Sequence, residues 1–342
     1  MFRASEISLD FYGLVSLFVR APKNAIDFLR TEWGEFENAT DRENPDIAVY
    51  WKGDGRDDTG SSSSGKKRWA VGWYKGCFWR ATLRDEALTR RIEYSSMPRS
   101  NFLFKDSCIE PIVLSALESK GLGSLHASSL SIDGQAWIFC GGPRSGKTIL
   151  ALLGVRFGHI LLSDDVVVLG NEHVHPYPVP PRVYLHNYRD RELFEELISR
   201  EVSPDFVRNV MLSFATLGRV RIPTRLRSTS NFSTRLAVTD KIPLGGLFLL
   251  RTDRPEPAVR SSSDRISVAR EISRNFPAHG GSVLDRLGIR EAYRDDHTSA
   301  LEAQLGALLK DRPVFEVSTT RKMSMGDWTS VFGTVAELAG ER

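Results

Sequence analysis

From Gln135 to His175 the chain alternates short apolar runs with tight polar stretches, a pattern that predicts strand, loop, helix and strand in turn. "AWIFC" is a strand. "GGPRSGKTIL" turns sharply and opens a helix, "TILALLGVRF". "GHILL" is a second buried strand ending at "SDD", and "VVVL" begins at once. Upstream, "SLHASSLSIDGQ" sets Asp133-Gly134 between two strand-like runs, the mark of a two-residue hairpin. Such a hairpin pairs Ile132 with Gln135. Carried back, that register sets His126 opposite Gly141 and puts His126, Ser128 and Leu130 on one face.

The same reading organises the rest of the chain. "EISLDFYGLVSLFV", "DIAVYW", "RWAVGWY" and "GCFWRATL" are strand-like and predict a β-rich unit over residues 1–109. Gly53 to Lys67, "GDGRDDTGSSSSGKK", is polar and Ser/Gly-rich and reads as a mobile loop. A second part, residues 110–342, starts with a short helix at "EPIVLSALESKGLG". It continues through the hairpin and the loop. Beyond Gly170, "RDRELFEELISREV", "DRISVAREISRN", "TSALEAQLGALLK" and "GDWTSVFGTVAELAG" read as helices, and "PLGGLFLLR" and "VFEVS" as strands.

Bulk composition narrows the class only a little. In 342 residues, 46 Lys and Arg stand against 43 Asp and Glu, which argues against a dedicated nucleic-acid binder. The local run "GRVRIPTRLR", Gly218 to Arg227, is basic enough to meet an acidic partner, although a solvated loop is its ordinary meaning. The three cysteines, Cys77, Cys108 and Cys140, have no metal-like spacing, which points to a reducing compartment. With no apolar run long enough for a membrane helix or a signal segment, the chain is expected in the cytoplasm.

The loop carries the chemistry. Gly141, Gly146, Lys147 and Thr148 match Gly-x-x-x-x-Gly-Lys-Thr, and Gly142, Pro143, Arg144 and Ser145 complete the cradle. Glycines let several backbone N–H groups face one anion, and the helix start adds its positive dipole end. Lys147 would reach the β- and γ-phosphates of a nucleotide, and Thr148 would bind Mg²⁺. Asp164 and Asp165 end an apolar strand just past the loop's helix. Alternation along an extended chain gives them different tasks, holding a metal or accepting a hydroxyl proton. A lone histidine such as His126 is more often structural, and its register beside the loop is what makes it a candidate.

At this point "LHASSLSIDGQAWIFCGGPRSGKTILALLGVRFGHILLSDDVVVL" resembles the catalytic core of the HPr kinase/phosphorylase family. It is closer still to the broader HPr-kinase-like serine kinases, which include enzymes encoded with peptide natural products such as lasso peptides. The resemblance covers about residues 110 to 170, weakens through "HPYPVPPRVYL" and "KIPLGGLFLLR", and leaves out the first hundred residues. It implies an α/β (α+β) fold, a mixed-sheet P-loop core related to phosphoenolpyruvate carboxykinase, here with a β-rich N-terminal domain. It also implies ATP and Mg²⁺, with His126 and Lys147 in the active site, Asp164 as base for the acceptor hydroxyl, and Thr148 and Asp165 on the metal. The family's E-x-x-G-x-G signature has no counterpart; "MLSFATLGRVRIPTR" does not match it. That absence removes the basis for HPr as substrate, for dephosphorylation and for the family's hexamer.

The expectation is an ATP-dependent kinase of an alcohol, foremost a serine in a peptide or protein, with precursor-peptide tailoring as one setting. A kinase of a sugar or free amino acid, a non-catalytic nucleotide-binding regulator and a carboxykinase-like enzyme compete with it. Arg144, Arg182 and Arg251 are the arginines that could steady the transferring group.

Overall fold

A computed structural model describes residues 4–38, 45–51, 67–74, 77–85, 89–96, 104–183, 211, 224–225, 240–252, 256–276, 278, 294–320 and 323–340. The expected helix "RDRELFEELISREV", nearly all of the expected Ser/Gly loop and most of the basic run lie outside these residues. The chain divides into two units, Met1–Gly121 with His279–His297, and Leu122–Ala278 with Thr298–Arg342. The helix at Glu110 therefore groups with the N-terminal unit, whereas the sequence reading set the boundary before it.

In the first unit, strands β1 (Ala4–Phe11) and β2 (Val15–Pro22) form a hairpin, and helix α1 (Lys23–Trp33) follows. Strands β3 (Ile47–Trp51), β4 (Lys67–Tyr74), β5 (Cys77–Asp85) and β6 (Arg90–Ser96) complete a six-stranded sheet in the order β1-β2-β3-β6-β5-β4. The β2–β3 and β3–β6 pairs are parallel and the rest antiparallel. Ile7, Leu9, Leu17, Val19 and Val49 fill one face of the sheet, and Ile26, Leu29 and Trp33 are the buried side of α1. The sequence pattern hid α1 and β6. A π-type turn at Phe104–Ile109 leads into α2 (Glu110–Ser119). It buries Lys105 completely, with Nζ 2.6 Å from Glu110, 3.5 Å from Glu32 and 3.6 Å from Asp106. Ion pairing of this kind is what makes a fully buried lysine tolerable.

The second unit is built on one mixed sheet, which gives a mixed α/β architecture. Its elements are β7 (Gly123–Leu125), β8 (Ala127–Ile132), β9 (Gln135–Gly141), α3 (Lys147–Arg156), β10 (Ile160–Ser163), β11 (Val167–Leu169) and β12 (His173–His175). There follow β13 (Arg182–Val183), β14 (Thr224–Arg225), β15 (Ile242–Arg251), β16 (Ala258–Ser261), α4 (Arg265–Asn275), α5 (Arg294–Leu309), β17 (Val314–Ser318) and α6 (Met325–Gly340). Among the described residues the sheet runs β10-β8-β9-β15-β12-β11-β7, with β17 beside β15 and β16 beside β17. β9, β15 and β17 are parallel, while β8 is antiparallel to β9 and to β10. The Asp133-Gly134 turn has φ +50° and +78°, the left-handed pair a two-residue hairpin demands. Ile132 faces Gln135, and the ladder holds through Ala127 and Cys140.

Alternation along β9 sorts its side chains onto two cores. Ala136, Ile138 and Cys140 join Val268, Ala269 and Ile272 of α4 and Leu301, Leu305 and Leu309 of α5. Trp137 and Phe139 join Leu150 and Leu153 of α3 and Val331, Phe332 and Val335 of α6. Trp137 is fully buried, with ring centroids 5.3 Å from Phe248 and 6.4 Å from Phe315. Trp137→Ala should therefore cost about 3–5 kcal/mol of stability, read from the midpoint of chemical unfolding.

Candidate functional site

β9 delivers the chain to the loop at Gly141. A Cβ there would stand 2.8 Å from the Cβ and from the carbonyl oxygen of Leu250 on the parallel neighbour, so only glycine fits. The chain passes out through exposed Pro143 and Arg144 and returns through buried Ser145. Gly146 has φ +100°, open to glycine alone, and a Cβ there would overlap the Trp328 ring of α6. α3 starts one residue later, so its first N–H groups have no partner inside the helix and favour an anion at that end.

Lys147 and Ser145 set the character of the cradle. Lys147 is 8% exposed and donates to the carbonyls of Gly141 at 2.7 Å and Gly142 at 3.2 Å. Burial pushes its ammonium down from the ordinary lysine value, against the pull of Cys140, Asp165 and Asp164. The Ser145 hydroxyl is buried without a hydrogen-bond partner among the described residues, a loose polar end at the loop. From below, the Thr319 hydroxyl donates to the Ser145 carbonyl at 3.2 Å and its N–H to the Arg251 carbonyl at 2.7 Å. α6 holds Trp328 over Gly146 from a reciprocal cap: Ser324 N–H donates to the Asp327 carboxylate at 2.8 Å and Asp327 N–H to the Ser324 hydroxyl at 3.2 Å.

Asp164 is 2% exposed and sits where strand and helix meet. Its Oδ1 accepts from the Ser128 hydroxyl at 2.5 Å and from the Thr148 hydroxyl at 3.2 Å. Its Oδ2 accepts from the Arg182 N–H at 3.4 Å. Burial first, and the neighbouring Asp165 second, hold its carboxyl above the usual aspartate value; the three hydrogen bonds oppose them. Asp165 turns the other way, at φ +77°. Its Oδ1 lies 3.1 Å from His126 Nδ1 and its Oδ2 takes Arg182 Nη1 at 2.7 Å. The His126 Nδ1 is also 3.0 Å from the Asp165 carbonyl, and the His126 N–H donates to Phe276.

The structure thus gathers His126, Asp164, Asp165, Lys147 and Thr148 around one loop. The hairpin register puts His126 one residue past the last paired positions, in line with Gly141. Two contacts bear on the expected roles without deciding them. The Thr148 hydroxyl, expected to share a metal with Asp165, lies on Asp164. Arg251, one of three candidate arginines, is committed elsewhere: it makes a two-pronged ion pair to Glu271 at 2.9 and 2.8 Å and reaches Glu316 at 3.4 Å. Of the other two, Arg144 is exposed at the loop tip and Arg182 is bound to Asp165. Sequence reasoning gave Ser128 a face and no task, and it missed Thr319 and Trp328. Register could have found Ser128. Nothing local could have found the other two.

No family model matches the sequence, and no curated protein matches it. Among solved structures, the HPr(Ser) kinase/phosphatase from Coxiella burnetii is 14% identical. The match covers 64% of this chain and 99% of that one, at a TM-score of 0.26. A score at that level does not establish a common fold.

Proposed function

We propose that the second unit is an ATP- and Mg²⁺-dependent phosphotransferase that phosphorylates a hydroxyl, foremost a serine of a peptide or protein. The observation that carries this reading is Asp164, a buried carboxylate of raised proton affinity hydrogen-bonded to the loop threonine. A loop that only gripped nucleotide would need the glycines, Lys147 and Thr148; it would not need a strained two-aspartate corner with a histidine and an arginine on it. The cradle also suits a polyphosphate, because the first N–H groups of α3 open at the loop and the buried Ser145 hydroxyl has no partner among the described residues.

Each residue then has a task. Gly141 to Thr148 would bind the phosphates, and Lys147 would offset their charge. Thr148 and Asp165 would hold Mg²⁺, which when bound supplies charge neutralisation across the transferring group. Asp164 would take the acceptor hydroxyl proton; Ser128 keeps one of its oxygens in place. His126 and Arg182 hold Asp165 from two sides, and Arg182 would be the arginine nearest these carboxylates to steady charge at the site.

The test is transfer of labelled γ-phosphate from ATP to serine peptides and to small alcohols, with and without Mg²⁺. Transfer to peptides supports the reading, and transfer to small alcohols alone would make this a metabolite kinase. Tight nucleotide binding with no transfer to either would overturn it. Because Asp164 must be ionised to accept a proton, and its folded value is raised, the rate should fall on acidification. The midpoint should lie above the ordinary aspartate range, as read from a kcat profile against pH.

A further inference from the structure

β12 carries two histidines on one face, and the fold turns their rings together. His173 and His175 alternate with Val174, which joins the core that holds Ile242, Val268 and Leu301. The two Nε2 atoms stand 3.1 Å apart, and the ring centroids 4.7 Å apart at an interplanar angle of 62°. A straight N–H···N hydrogen bond of that length would set the centroids about 5.4 Å apart. Two imidazoles aimed at one ion, about 2.0–2.1 Å from each nitrogen, would set the nitrogens about 2.9–3.4 Å and the centroids about 4.8 Å apart. The observed pair has the second geometry. Its ring axes converge on a point to one side of the line between the nitrogens.

The turn before β12 fixes this arrangement. The Gly170 N–H donates to the His173 carbonyl at 2.8 Å, closing the hairpin of β11 and β12. A Cβ on Gly170 would overlap the His173 ring at Nε2, Cε1 and Cδ2, so that imidazole lies against bare backbone. Gln304 of α5 pins the turn, its Nε2 donating to the Gly170 carbonyl at 3.2 Å and to that of Leu169 at 3.4 Å. His175 is buried and His173 half-buried. Burial above all pushes both rings down from the ordinary histidine value, His175 to about 4, which leaves them neutral at neutral pH with lone pairs to give. Lys241 and Glu172 stand nearby with opposite charges, so affinity for a cation must come from the nitrogens. The pair is also set apart from the phosphate loop. β15 meets His173 at Pro243, near its start, and Gly141 at Leu250, near its far end.

We propose that His173 and His175 chelate a divalent transition-metal ion of the Zn²⁺ kind in an exchangeable site. Imidazole suits such an ion, whereas Mg²⁺ takes oxygen ligands, so this is not the ion proposed beside Thr148. Among the described residues no third His, Cys, Asp or Glu side chain joins the pair. Water completes the shell, and its positions stay open to an incoming ligand. The half-buried His173 is the way in. Metal binding here does not depend on the phosphotransfer reading. The two fail separately, since one is read from Zn²⁺ affinity and the other from transfer.

The experiment uses the full chain, stripped with a chelator and kept reduced, and titrates it with Zn²⁺ against a chromophoric Zn²⁺ indicator. Zn²⁺ should bind with a Kd at or below about 100 µM, and an excess of Mg²⁺ should not displace it. His173→Gln and His175→Gln should each weaken binding about tenfold or more. Gly170→Ala keeps both imidazoles but pushes the His173 ring aside, and it should weaken Zn²⁺ as well; Gly170 has no positive φ to strain. His126→Gln, at the corner beside the loop, should leave this affinity unchanged. If the buried His175 variant does not fold, His173→Gln and Gly170→Ala decide, each checked by its metal-free thermal midpoint. No binding at about 1 mM Zn²⁺, or wild-type affinity in the His173 and Gly170 variants, would overturn the proposal. So would loss of binding in His126→Gln alone, because the ion would then sit beside the loop.

Discussion

Asp164→Asn should lower phosphoryl transfer by about 10²- to 10⁴-fold, the usual worth of a positioned proton acceptor, while nucleotide affinity changes little. The amide keeps the size of the carboxylate and can still accept from Ser128, so the loop should stand. The same change has a second signature. A carboxyl whose value is higher in the fold than in the unfolded chain holds its proton more tightly when folded. Stability therefore falls as pH climbs out of the ordinary aspartate range through the raised folded value, and stays lower above it. At neutral pH Asp164 is a cost to the fold, and the Asn variant should melt at or above the wild-type temperature. That advantage should vanish at pH values below the ordinary carboxylate range. An inactive protein that is no less stable is the mark of a residue kept for chemistry. Asp165→Asn is the control. It should raise the Mg²⁺ concentration needed for half-maximal rate. If Asp165→Asn is the dead variant and Asp164→Asn only shifts the Mg²⁺ requirement, the two roles are exchanged.

Gly146→Ala should be nearly as damaging, for a different reason. The added methyl group would meet φ +100° and the Trp328 ring together. Strain and overpacking of this kind cost about 2–4 kcal/mol between them. Either α6 moves or the loop does, so nucleotide affinity and thermal midpoint should both drop. Trp328→Leu in the same chain frees space without easing the backbone. It should restore part of the stability and little of the nucleotide binding. Full recovery of both would mean that the ring clash alone made the site fragile.

How much of this was legible in the sequence depends on how local each cause is. The hairpin was legible because Asp-Gly specifies its own turn and a period of two carries the register from Ile132 back to Ala127. The strand–loop–helix at Gly141 was legible for a similar reason: each glycine answers a backbone need that its immediate neighbours impose. The two aspartates were placed correctly at a strand end, but not their partners. The pairing of β10 with β8 slips between Leu161 and Ser163, and Asp165 then turns left-handed, so simple alternation no longer says which carboxylate meets Thr148. Arg251 looked available because it ends the strand-like run "PLGGLFLLR", in a segment with some likeness to the family. Its capture by Glu271 and Glu316 is a matter of packing across α4 and β17.

The loop's support has a consequence for how the protein comes to be active. Gly141 to Thr148 is made early in the second unit. The pieces that brace it, Thr319 under Ser145 and Trp328 over Gly146, come from the residue just after β17 and from α6, far later in the chain. During synthesis the cradle would emerge long before its floor and ceiling exist. A chain that has not yet folded its final helix would hold nucleotide poorly. Acquisition of nucleotide affinity would then serve as a clock for completion of the domain, one that a ribosome-bound nascent chain of increasing length could be used to read.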